Sequence, residues 1–130
     1  MRKAGHAAVG SAAGFVASFV GVLRISTETT LFGFAFTGLI AWLFGMGLGA
    51  FGAEIPDLLD NPKKLGPNHR RLAHSVVVLA GVSYCIYAIL TDRWVMEGRI
   101  DVLFLLPFLA GYASHLIVDA PSKKHLPFLF

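Results

Sequence analysis

Four apolar stretches dominate this sequence, and each is about as long as a helix needs to be to cross membrane hydrocarbon. They lie near residues 7–23, 31–53, 72–90 and 102–120. Hydrocarbon offers no partners for backbone N–H and C=O groups, so continuous helix is the state expected of such segments. The sequence therefore predicts an all-α, integral membrane four-helix bundle that forms a single membrane domain over residues 1–130.

The composition argues against a soluble globular protein. Apolar residues make up 55% of the chain, charged residues make up 15%, and the mean hydropathy is +0.66. So few polar side chains cannot cover the surface of a soluble core of this size. The net charge is +3, but the cations lie beside the apolar stretches, where they orient spans. The expected partner is therefore the lipid bilayer, and no direct nucleic acid partner is expected.

The cations also predict an orientation. In a four-span chain, both termini and the middle loop lie on one side of the membrane. That side carries eight of them: Arg2, Lys3, Lys63, Lys64, Arg70, Arg71, Lys123 and Lys124. The other side carries Arg24, Arg93 and Arg99. The positive-inside rule then predicts a multi-pass protein with both termini in the cytoplasm.

Small residues at four-residue spacing characterise the first two spans. Gly10 and Gly14 form one GxxxG pattern, and Gly45 and Gly49 form another. This spacing lets helix backbones approach closely in lipid, although any single glycine is common in membrane helices anyway. Tight packing of the first two spans is expected.

Residues 54–75 interrupt the apolar pattern with acids, histidines, cations and prolines. All five histidines of the chain fall on the predicted cytoplasmic side, together with four carboxylates. They are His6, His69, His74, His115 and His125, with Glu54, Asp57, Asp60 and Asp119. An isolated histidine at a helix end is usually an interface residue, the interpretation favoured for His125, and Asp57 after Pro56 is compatible with a simple turn.

The spacing brings much of this set to one level of the bundle. His115 and Asp119 are four residues apart and share a helical face. An ionisable group within a span costs roughly 2.5–3.5 kcal/mol, so several together favour function over structure. The first-choice ligand set is His6, Asp57, His69, His74, His115 and Asp119, with Glu54 and Asp60 nearby.

Imidazoles and carboxylates are the ligands expected for a divalent metal ion, with zinc the first choice and manganese or iron as alternatives. The leading hypothesis is metal-assisted hydrolysis of a phosphoester or lipid-linked substrate. Glu54 or Asp60 would act as general base, and Arg70 or Arg71 would hold an anionic group. A non-catalytic membrane adaptor or regulator with a structural metal site is the alternative. A metal or ion carrier is disfavoured because the span centres hold few polar residues.

Four short elements carry a family resemblance. They are Gly5–His6 with the small residues after it, then residues 52–57 (GAEIPD), 68–75 (NHRRLAHS) and 111–119 (GYASHLIVD). Together and in this order they resemble the YdjM-type, inner-membrane-associated, metal-dependent hydrolases, also described as LexA-binding membrane proteins. The resemblance implies an inner-membrane hydrolase with metal ligands among the six residues of the first-choice set. Two departures are Asp60, one position later than the family's second acid, and Arg71, where many members have glycine.

Overall fold

In the computed structural model of the protein, residues 3–25, 31–60, 73–96 and 101–120 are described. Four α-helices account for most of them: α1 (Lys3–Ile25), α2 (Leu31–Leu59), α3 (Val76–Leu90) and α4 (Leu106–Asp119). A π-helical turn, Asp101–Leu105, runs directly into α4. No strand occurs within these ranges, and the predicted all-α class is confirmed.

Three helical segments are long and apolar enough to cross a membrane: Ala4–Leu23, Gly38–Leu59 and Asp101–Asp119. Helix α3 is also apolar but has 15 residues. It rises only about 22 Å, against a hydrocarbon thickness of about 30 Å. Large apolar side chains face outward, among them Leu43 and Leu58 at 63% and 65% exposed, as expected where the neighbour is lipid.

Helices α1 and α2 pack antiparallel through their glycines. Gly10 lies against Gly49 and Ala53, and Gly14 lies against Gly45 and Gly49. A Cβ placed on Gly14 would collide with the carbonyl oxygen of Gly45, so only glycine permits this approach. The tight packing predicted from the two GxxxG patterns is therefore observed.

Helix α4 joins the same contact from the other side of α2. A Cβ on Gly111 would collide with the backbone of Gly49, and one on Gly52 would collide with the carbonyl oxygen of Phe108. Gly49 thus touches α1 on one side and α4 on the other. Helices α1, α2 and α4 form a closely packed group, whereas α3 packs mainly against α4.

Pro107 lies in the first turn of α4, directly after the π-helical turn. Proline has no N–H to donate to the carbonyl one turn earlier, and its ring crowds that carbonyl. A widened turn relieves this conflict. The π-helical turn before Pro107 therefore agrees with the loosening that a proline is expected to cause in a membrane span.

Replacement of Gly49 tests the three-helix contact. We expect Gly49→Val to lower the free energy of unfolding in detergent by about 2 kcal/mol or more, because backbone atoms of α1 occupy the space of its side chain. Gly47→Val is the matched control, since a Cβ there meets nothing within 4 Å. Equal stability of the two variants, measured by denaturant titration, would contradict this packing.

Candidate metal centre

All four helices have a terminus at the same end of the bundle. The antiparallel arrangement places the start of α1 beside the ends of α2 and α4, and the turn before α3 completes the group. Six predicted site residues meet there: His6, Asp57, Asp60, His74, His115 and Asp119. We call them the six-residue cluster.

The centre of the cluster is a three-ligand group of Asp57, His74 and His115. The two Nε2 atoms of the histidines lie 3.0 Å apart. Asp57 Oδ1 lies 3.4 Å from Nε2 of His74 and 3.8 Å from Nε2 of His115. Ligand atoms of a tetrahedral zinc site lie about 3.3 Å apart, given Zn–N bonds of about 2.0–2.1 Å. The spacing and chemistry of these three atoms therefore suit a bound metal ion.

Asp119 brings a second carboxylate to the same point. Its Oδ2 lies 3.7 Å from Nε2 of His115 and 4.0 Å from Nε2 of His74. Its Oδ1 lies 3.4 Å from Nε2 of His6, whose ring stacks on His115 with centroids 4.2 Å apart. Asp119 thus borders the three-ligand group through one carboxylate oxygen and contacts His6 through the other.

Asp60 fixes how His74 faces the group. Its Oδ2 lies 3.0 Å from Nδ1 of His74, and both residues are buried. The carboxylate accepts, so Nδ1 carries the proton and Nε2 presents its lone pair to the three-ligand group. Asp60 lies beside His74 because the last turn of α2 continues one residue past Leu59. The amide of Asp60 donates a hydrogen bond to the carbonyl of Pro56 at 3.0 Å.

Two hydrogen bonds hold the segment that carries His74. The Ser75 hydroxyl accepts from the amide of Val78 at 3.2 Å and caps α3, which leaves His74 just outside the helix. The Tyr112 hydroxyl donates to the carbonyl of Ala73 at 2.9 Å. Tyr112 is not among the site residues predicted from the sequence. Its position three residues before His115, in an apolar span where a phenol needs a partner, is the signal that could have identified it.

The cluster is closed on most sides. His74 and His115 have no exposed surface, and Asp119 is 3% exposed. The side chain of Asp57 is 35% exposed, so the open side of the three-ligand group is the side of Asp57.

The remaining predicted residues do not join the cluster within the described ranges. Glu54 is exposed, one turn before Asp57 on α2. His69, Arg70 and Arg71 lie outside the described residues, as does His125.

The comparisons with known proteins bear on the whole chain. No curated protein and no solved structure matches it. A family model described as "YdjM inner membrane protein" matches residues 1–130. The resemblance drawn from the four sequence elements is thereby confirmed: the chain belongs to the YdjM inner membrane protein family.

Proposed function

We propose that this protein is a membrane-bound, metal-dependent hydrolase that acts on a phosphoester or lipid-linked substrate. The observation that carries the proposal is the convergence of Asp57 Oδ1 with the Nε2 atoms of His74 and His115, all within 4.8 Å of one another. Ionisable groups in or beside a membrane span are costly to bury, so a group of them that converges on one point indicates a functional site. Membership of an inner membrane protein family is consistent with a substrate that resides in the bilayer.

His74, His115, Asp57 and Asp119 would hold the metal ion. Two imidazoles with two carboxylates favour zinc, and they also accept manganese or iron. A bound divalent ion supplies Lewis acidity, which polarises a phosphoryl oxygen and promotes the ionisation of water. Asp60 and His6 would orient the ligands, because each pairs with a ligand through an imidazole–carboxylate contact at 3.0 and 3.4 Å.

The exposed Glu54 is the better candidate for general base. Asp60 is already engaged by Nδ1 of His74, which favours a positioning role for it. Glu54 is exposed and lies one turn from Asp57, on whose side the cluster opens. Arg70 and Arg71 would bind the anionic part of the substrate, as their place between two histidines in the sequence suggests.

The cluster would face the cytoplasm. The cation count places both termini and the middle loop on that side, and the cluster is built from the helix ends adjoining them.

The burial of the cluster also supports a second candidate, a membrane adaptor or regulator with a structural metal site. Four protein donors can close a zinc site and leave no position for water. The partly exposed side chain of Asp57 favours an open site instead. A metal that binds at full stoichiometry without any hydrolytic activity would decide for the adaptor.

Elemental analysis of the protein purified in mild detergent tests the metal site. We expect about one divalent ion per chain in the wild type, since three or four donors converge on one point. His115→Ala and Asp57→Ala should each lose most of it, while His125→Ala, a histidine outside the predicted ligand set, should keep it. Wild-type protein without metal, or undiminished metal in the first two variants, would rule the site out.

Assays of phosphodiester hydrolysis separate the roles of Glu54 and Asp60. The substrates are bis(p-nitrophenyl) phosphate and a phospholipid in mixed micelles. Glu54→Gln should keep the metal and lose roughly 100-fold in kcat, the lower range for a general base. Asp60→Asn should weaken metal binding by roughly 10–100-fold, as loss of a ligand-orienting carboxylate does. Activity that survives removal of the metal by a chelator would contradict the proposed mechanism.

A reporter fused to the C-terminus tests the orientation. We expect a cytoplasmic reporter to be active and a periplasmic one to be silent, because cations crowd both chain ends and the middle loop. The opposite pattern would place the cluster on the outer face.

A further inference from the structure

An apolar groove of about 520 Å³ lies between α1 and α3, with α4 as its floor. Its walls are alkyl side chains, among them Val9, Ala13 and Val16 of α1 and Ile86 and Leu90 of α3. The groove exists because α3 packs against α4 and the π-helical turn but makes few contacts with α1. Both α1 and the segment containing α4 are long and apolar enough to span the membrane, so the groove opens within the hydrocarbon layer.

At one end the groove stops at Val9, about one helical turn from His6 of the six-residue cluster. His6 precedes Val9 by three residues, so the two are neighbours on one face of α1. From Val9 the lining continues along the same helix to Val20, a rise of about 16 Å. A molecule lying along the groove would therefore have one end in the hydrocarbon and the other beside the stacked rings of His6 and His115.

The size and setting of the groove suit a lipid chain. A hydrocarbon chain about 4.5 Å wide, close to the contact distance between carbon atoms, occupies about 250 Å³ over a length of about 16 Å. The groove thus has room for one or two lipid chains, and because it opens into the hydrocarbon layer, lipid chains are the molecules that surround it.

We propose that this groove holds the hydrocarbon chain of a membrane lipid and directs its phosphate ester to the metal centre. The proposal rests on the proposed function and specifies its substrate class as a lipid phosphoester. Lipid tails are as apolar as the groove walls, so entry gains little free energy and the chain exchanges with the bilayer. The groove positions the lipid, and the headgroup at the cluster gives the specificity.

Photocrosslinking with phosphatidic acid that carries a diazirine midway along one chain tests the groove without relying on catalysis. The full chain is placed in nanodiscs of zwitterionic and anionic phospholipid, irradiated and digested. We expect peptides of α1 and α4 that line the groove to carry at least fivefold more label than the outer face of α2 around Leu43. Uniform labelling of all lipid-exposed faces, or exclusion of label from the groove by a second copy, would overturn the proposal.

Filling the groove gives a second, independent test. Ala13→Phe should reduce the groove label at least fivefold and raise the KM for a long-chain lipid phosphoester about tenfold, with hydrolysis of bis(p-nitrophenyl) phosphate and metal content unchanged. Gly81→Phe is the control, because a Cβ at Gly81 on α3 meets nothing within 4 Å. No change in label or in KM with Ala13→Phe would contradict the groove.

The two proposals fail differently. Groove labelling that persists in a wild-type protein without metal or hydrolysis would leave a lipid-binding groove and refute the hydrolase. If the protein binds metal and hydrolyses the soluble ester but all its lipid-exposed faces are labelled equally, the lipid groove alone is refuted.

Discussion

The contact of three backbones at Gly49 is the constraint on which the rest of the structure depends. Gly10 and Gly14 meet it from α1, and Gly111 meets it from α4. Membrane helices gain little from burying apolar side chains against each other, so close backbone packing of this kind must hold them together. From the contact, His6 is one turn beyond Gly10, His115 is one turn beyond Gly111, and Asp57 is two turns beyond Gly49. The packing of small residues therefore sets the distances between the side chains of the six-residue cluster.

The cluster shows how buried polar groups are accommodated beside hydrocarbon. Each carboxylate of the cluster lies within 4.0 Å of an imidazole nitrogen, and the His74 nitrogens each face a carboxylate. Such pairing offsets part of the cost of burial, which is roughly 2.5–3.5 kcal/mol for an isolated charged group in a span. The 3.0 Å separation of the two Nε2 atoms fits either a hydrogen bond between the two rings or a metal ion that both rings bind.

Much of this architecture follows from the sequence because it depends on local patterns. Apolar length predicts the helices, glycine spacing predicts the close approach of α1 and α2, and the sidedness of histidines and acids predicts where His6, Asp57, His74, His115 and Asp119 gather. The partners of Asp60 and Tyr112 could not be predicted, because each lies far away in the sequence: His74 for Asp60 and Ala73 for Tyr112. The groove could not be predicted either, since it arises from the separation between α1 and α3.

The central claim is that Nε2 atoms of His74 and His115 and carboxylate oxygens bind one divalent ion. X-ray absorption at the edge of the bound metal measures that coordination directly, because imidazole rings add a characteristic outer-shell scattering. The account predicts nitrogen and oxygen ligands only, with two histidines per metal in the wild type and one in His115→Ala reloaded with excess metal. A spectrum without histidine scattering, or one with sulfur from Cys85, would contradict it.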